Sequence, residues 1–149
     1  MAYHDDLVVQ AEHLTLVDRR GRPKQVNLRR AVSSLYYGLF HLLVAEAVGY
    51  WKLERHRIVL SRAFEHAKMR GACSRCDPKK ADLLIVARAF LQLQTYRTSA
   101  DYDNATKWTR AEVRKHIKLA KEAFGAWNEI KNTPEAQDFM LSLLVPDRK

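Results

Sequence analysis

Arg30, Ser34, Tyr37 and His41 recur at steps of four, three and four. That spacing sets side chains along one face of a helix. They make a polar row in an otherwise apolar stretch. The arginine fork suits an anion, and tyrosine and histidine add hydrogen-bonding groups beside it. Such a row fits the wall of a cleft. It equally fits a helix–helix or subunit seam, where amphipathic Tyr and His find partners. His41, His56 and His66 are the candidates for proton transfer, because histidine titrates near neutrality. His56 stands between Arg55 and Arg57, a phosphate environment if it faces a groove and a solvated helix start if it does not. His66 has Arg62 one turn earlier.

The segment Tyr96-Arg97-Thr98-Ser99-Ala100-Asp101-Tyr102-Asp103 gathers one arginine, two aspartates and two tyrosines in eight residues. Arg97 either binds phosphate there or pairs with Asp101 and clamps the end of a helix. A basic stripe, Lys107, Arg110, Arg114, Lys118 and Lys121, follows along one helical face. His116 stands six positions after Arg110, but six steps turn a helix about 600°, so the two do not share a face. Cys73 and Cys76 form a CxxC pair. It reads as half a zinc site completed by a second copy or by His66, as a redox pair, or as two structural thiols. The structural reading is preferred, and no metal or cofactor is expected. The phosphate-loop, dinucleotide, zinc-protease and serine-hydrolase motifs are absent, and no Glu-x-x-His pair suggests a di-iron bundle.

The elements that must position these groups read as helices. His4 to about Val17 carries Leu7, Ala11, Leu14 and Val17 on one face, and Asp18 to Lys24 is a basic loop broken by Gly21 and Pro23. Asn27 to about Val48 has two adjacent apolar lines, so it should be central in a bundle, with Ala31 and Gly38 permitting close approach of a neighbour. His56 to Lys68 is a shorter helix burying Val59, Leu60, Ala63, Phe64 and Ala67, followed by a loop over Gly71 to Asp77. Asp77-Pro78 reads as a cap and first-turn proline for a helix ending near Gln94 to Thr98. Asp103 or Asn104 caps the next, which runs to about Asn128 with Val113, Ile117, Ala120, Phe124 and Trp127 inward. Thr133-Pro134-Glu135 opens a terminal helix, about 134–145, stopped by Pro146. The expectation is an all-α single domain over 1–149, a bundle of about six helices with a core spanning about 5–128. Tyr36, Phe40, Phe64, Phe90, Ile117, Ala120 and Phe124 are expected inside it.

At this point the residues resemble a known family. Arg30-Ala31-Val32-Ser33-Ser34-Leu35-Tyr36-Tyr37-Gly38-Leu39-Phe40-His41 resembles the arginine-led helix of HEPN-domain proteins that ends in YYAxFH, with Gly38 in place of alanine. His56 followed by Phe64 is similar to their H…F helix, and Arg97 to Tyr102 is similar to their RxxADY segment. The resemblance implies an all-α, usually dimeric bundle in a superfamily rich in ribonucleases, toxins, antiviral effectors and partners of nucleotidyltransferases. Active members carry an R-x4-6-H motif, paired across the dimer, and cleave RNA without metal. Here Tyr102 stands where that histidine would be. Arg110 and His116 meet the spacing only in the following helix. A phenol, with a reference pKa near 10, is a poor general base at neutral pH. The resemblance therefore implies the noncatalytic branch: an RNA-associated module in which Arg30, Tyr37, Arg97, Arg110, Arg114 and Lys118 meet RNA. Two alternatives stand beside it. One is a metal-independent ribonuclease of a toxin or defence system, with His41 or His56 moving the proton, Arg97 stabilising charge and Tyr102 at the motif position. The other is a protein-interaction or regulatory subunit, of a nucleotidyltransferase or another protein.

Composition agrees with that class without selecting it. The chain has 149 residues, 26 Lys plus Arg against 17 Asp plus Glu, and a formal charge of +9. A basic excess permits a polyanionic partner; it speaks to association and not to fold. With 47% hydrophobic residues the chain should bury a core. No uninterrupted apolar run reaches membrane-spanning length, the N-terminus is acidic where a signal peptide is basic, and two cysteines make no disulfide framework. A soluble cytoplasmic homodimer, away from membranes, is the expectation.

Overall fold

The computed structural model describes residues 2–18 and 20–145, and among these are seven α-helices and no strand. They are α1 (Tyr3–Leu16), α2 (Gln25–Val48), α3 (Glu54–Ser61), α4 (His66–Ser74), α5 (Ala81–Tyr102), α6 (Arg110–Ile130) and α7 (Pro134–Leu144). The all-α reading holds, with one helix more than expected. Pro146 lies outside the described residues.

α2 is the axis of the bundle, as its two apolar lines require. Leu28, Val32, Leu35, Tyr36, Leu39 and Leu43 are fully buried on it, and α1, α3, α5, α6 and α7 all pack against it. By length and composition α2 is long and apolar enough to cross a membrane, which the reading of interrupted runs missed. Just over half of that stretch is buried among the other helices, the pattern of a core helix. α1 crosses α2 at Gly38. A Cβ there would lie 3.3 Å from Val8 Cγ2 and 3.4 Å from the His4 carbonyl oxygen, so the glycine sets how closely the two helices approach.

The expected helix over His56–Lys68 is two helices. The backbone turns at Arg62 to Glu65, with Ala63 N–H donating to the Leu60 oxygen, and delivers Phe64 into the core. A straight helix would have buried Val59, Ala63 and Ala67, which are exposed. α4 continues through Ser74, so Cys73 is a buried helical residue and the 71–77 loop is shorter than read.

Asp77-Pro78 is not a helix cap. The Asp77 carboxylate accepts from Lys79 N–H at 3.0 Å in an Asx turn, and α5 begins at Ala81. At its other end α5 overruns the expected stop near Gln94 to Thr98 and reaches Tyr102. Its polar residues fold back onto their own helix: Thr95 Oγ1 donates to the Leu91 oxygen and Thr98 Oγ1 to the Gln94 oxygen. Polarity without glycine or proline did not break it. Asp103 and Asn104 do not cap α6 either. Asp103 closes the following turn by accepting from Ala105 N–H and Thr106 Oγ1, while Thr109 accepts from Glu112 N–H as the true cap. Gly125 is interior to α6, which runs to Ile130. Thr133 caps α7 as read, with Pro134 in its first turn. Tyr36, Phe64, Phe90 and Ala120 are buried; Phe40, Ile117 and Phe124 pack on the core half-exposed, because each lies on the shoulder of its helix.

Candidate functional site

Two helical stripes and one helix end face each other across a groove of about 930 Å³. α1 supplies Tyr3, Leu7, Gln10 and Leu14, at steps of four, three and four. α2 supplies Arg30, Ser34, Tyr37 and His41, the whole polar row, with Gln25, Val26, Arg29 and Ser33 beside it. The last turn of α5 supplies Ala100, Asp101 and Tyr102. The volume lies in the range of small-ligand clefts. The polar row thus lines a cleft and not a sealed helix seam.

Arg29, which the sequence reading passed over, brings the third wall into place. Its Nη1 donates to the Ala100 oxygen at 2.8 Å and its Nη2 to the Thr106 oxygen at 2.6 Å, tying α2 to the C-terminal end of α5. A cation suits the orphan carbonyls of a helix C-terminus. The Gln25 amide adds a second tie, donating to the Trp108 oxygen and accepting from Trp108 N–H, both at 2.8 Å. Nothing in the local pattern separates Arg29 from Arg30; only the path of the 103–109 loop does. Arg30, one residue on, is exposed and makes no hydrogen bond or ion pair among the described residues.

Arg97 stands behind the groove wall. Its guanidinium carbon lies 5.1 Å from the centroid of Tyr36 and 5.5 Å from that of Tyr37, and its Nη1 is 3.9 Å from Asp101 Oδ2. The side chain is only 14% exposed. Because α5 continues through this region, Arg97 and Asp101 are one turn apart on a helix, and the segment is no loop. Ser33 Oγ donates to the same Asp101 oxygen at 3.3 Å. The clamp is therefore formed, and Arg97 is held under the tyrosines while Tyr102, 74% exposed, stands on the rim.

A polar chain continues inward from Tyr36. Its hydroxyl meets His66 Nδ1 at 2.5 Å and accepts from Gln94 Nε2 at 3.4 Å, and Arg70 Nη1 donates to Gln94 Oε1 at 3.0 Å. With Gln94 as donor, the phenolic proton points to His66. Burial pushes the Tyr36 hydroxyl up to about 12, against the opposing pull of the Arg97 cation. Burial first, and Arg97 second, hold His66 below the ordinary histidine value. His41 is lowered by burial and by His4 and His66; its ring lies 5.0 Å from Tyr3, edge to face. His41 is thus a neutral imidazole at pH 7, able to accept a proton.

The other candidates lie elsewhere. His56 is exposed on α3 beside Trp51, outside the groove. Arg110 Nε donates to the Thr15 oxygen at 2.8 Å and its Nη2 to the Asp18 oxygen at 2.7 Å, so its guanidinium closes the end of α1. His116 stacks on Tyr96 at 4.0 Å and is half-buried. Arg114 and Lys118 are exposed on α6, Lys118 within 3.9 Å of Glu122, and neither lines the groove. Burial raises both Cys73 and Cys76, which keeps them as thiols near neutrality. Among the described residues no cluster of three or more His, Cys, Asp or Glu is gathered as a metal centre would need. No family model, curated protein or solved structure matches the chain.

Proposed function

We propose that this chain is a HEPN-like RNA-associated module that holds single-stranded RNA in the α1–α2–α5 groove without cleaving it. The observation that carries this is the free Arg30 guanidinium on a wall shared with Tyr37 and His41, between rims bearing the exposed rings of Tyr3 and Tyr102. A cation for phosphate and open aromatic faces for unstacked bases are what single strands require. A duplex offers backbone but few base faces, so single strands bind more tightly here. Arg97 acts from behind as a positioning residue, keeping Tyr37 and Asp101 in the wall.

The test is a fluorescence-anisotropy titration with a labelled single-stranded RNA at low salt. Tyr102→Ala weakens binding by about 5-fold or more, since a stacked base is worth about 1–3 kcal/mol, and Arg30→Ala weakens it through the lost phosphate contact. Their melting temperatures stay at the wild-type value because both side chains are exposed. Absence of wild-type binding, or variants that bind as well as wild type, defeats the proposal.

One observation favours the metal-independent ribonuclease as a second reading. His41 lines the groove and is neutral, so it meets the protonation state a general base needs. Cleavage in EDTA that disappears in His41→Ala, with the fold preserved, would replace the noncatalytic reading.

A further inference from the structure

The groove does not end at His41. Tyr3 and His41 also line a second recess of about 530 Å³, between the start of α1, the later turns of α2 and α3. On α2 the row Arg30, Ser34, Tyr37 and His41 runs on through Ala45 and Val48 at steps of four and three. Both recesses therefore lie along one face of that helix. The edge-to-face rings of Tyr3 and His41 stand between them. Ala45 lies about 22 Å along the helix axis from Arg30. A strand held at Arg30 and passing those rings reaches the second recess without leaving the helix face.

The chemistry of the second recess differs from that of the first. Its floor is apolar, with Val44 and Val48 buried on α2. α3 contributes Glu54, Arg57, Ile58 and Ser61, which share one helical face. Glu54 and Arg57 are the only carboxylate and the only guanidinium among the lining residues. They stand three residues apart, a spacing that allows an ion pair, yet they form none. Arg57 is oriented by the Trp51 and Lys52 oxygens, to which its Nη1 donates at 2.7 and 2.9 Å. Its Nε and Nη2 have no partner among the described residues, and neither has the Glu54 carboxylate.

We infer, resting on the single-stranded RNA reading above, that this recess is a guanine subsite of the same groove. An ionised carboxylate only accepts hydrogen bonds and a guanidinium only donates them. Of the four bases, only guanine sets two adjacent donors, N1–H and the N2 amine, beside an acceptor, O6, on its Watson–Crick edge. That edge is open for reading in an unpaired strand. Glu54 meets the two donors and Arg57 meets O6. Adenine and cytosine present a bare ring nitrogen where Glu54 needs a proton, and uracil flanks its one N–H with two oxygens. Val44, Val48 and Ile58 offer apolar surface to the ring. A phosphate is the poorer occupant, because the Glu54 carboxylate repels it.

The experiment titrates the full chain at low salt with fluorescein-labelled octauridine, and with the same strand carrying one guanosine, adenosine or inosine at its centre. Guanosine tightens binding by about fivefold or more, and adenosine does not. Inosine, which lacks the N2 amine, recovers only part of the gain. Glu54→Gln abolishes the guanosine preference while octauridine binds as it does to wild type. The variant melts at the wild-type temperature, because the Glu54 side chain is exposed. Arg30→Ala weakens every strand by a similar factor and leaves the preference intact, since it acts in the other recess. Octauridine that binds with no gain from guanosine overturns the guanine subsite and leaves the groove reading standing. A guanosine preference that survives Glu54→Gln does the same. Failure of every strand to bind defeats both.

Discussion

Arg97 illustrates how one side chain acts on both stability and site shape. It stacks under two tyrosines and pairs with Asp101 at a long 3.9 Å, so its planar cation matters more than the ion pair. Arg97→Ala is therefore expected to cost about 1–3 kcal/mol in urea unfolding, and Arg97→Lys to recover less than half of it. Asp101→Asn should cost less than about 1 kcal/mol, since the carboxylate is partly open to solvent. Equal losses for Arg97→Ala and Asp101→Asn would show that the ion pair dominates. The histidines give a second expectation at this scale. His41, His66 and His116 are all held below the ordinary value, each mainly by burial. In the unfolded chain they take up protons first, so stability is present above about pH 6.5 and is lost as pH falls through their folded values. Melting temperature should drop between pH 7.5 and pH 5, and His66→Gln should flatten part of that drop. A profile level across this window would contradict the burial of these rings.

At the scale of the element, the α1–α2 crossing governs the width of the groove. Gly38 has room for nothing larger than a methyl, and even that requires α1 to yield by a few tenths of an ångström. Gly38→Ala should be close to neutral, because the gain in helix propensity of about 1 kcal/mol offsets the contact. Gly38→Val should destabilise by about 1–3 kcal/mol through overpacking, and should weaken RNA binding by pushing Tyr3 and Leu7 outward. Thermal melts beside the anisotropy titration separate the two effects. A valine variant as stable as wild type would mean that α1 is not held where the packing puts it. This crossing was legible in sequence, since a glycine inside an apolar helical line has few other reasons to be there. The break after Ser61 and the extension of α5 were not. Both depend on where Phe64 and Arg29 find partners outside their own segment.

For the whole molecule the question is which of its many cations count. Fewer cations lie in the groove than the +9 charge suggests: Arg29 and Arg110 hold helix ends, Lys121 meets Glu12, and Lys118 lies near Glu122. RNA affinity should fall with salt, and Arg30→Ala should reduce the slope of log affinity against log salt by about one. Arg114→Ala, on α6 outside the groove, should leave both the affinity and the slope close to their wild-type values. If both variants change the slope alike, RNA follows the α6 stripe and not the groove.

Periodicity alone determined that the chain is helical, that α2 is its centre, and that Arg30, Ser34, Tyr37 and His41 share a face. These are local consequences of 3.6 residues per turn acting on residue type. The cap at Thr133 was equally local, since its partner is three residues away. The tertiary structure alone decided which cations remain free. Arg29 and Arg30 are neighbours of identical chemistry, yet one is consumed by carbonyls more than 70 residues away and the other has no hydrogen bond or ion pair among the described residues. The same holds for Arg97, whose partners include a helix that lies 60 residues earlier in the chain. A side chain's use is set by the acceptors that folding brings to it, and sequence spacing carries no record of those distances.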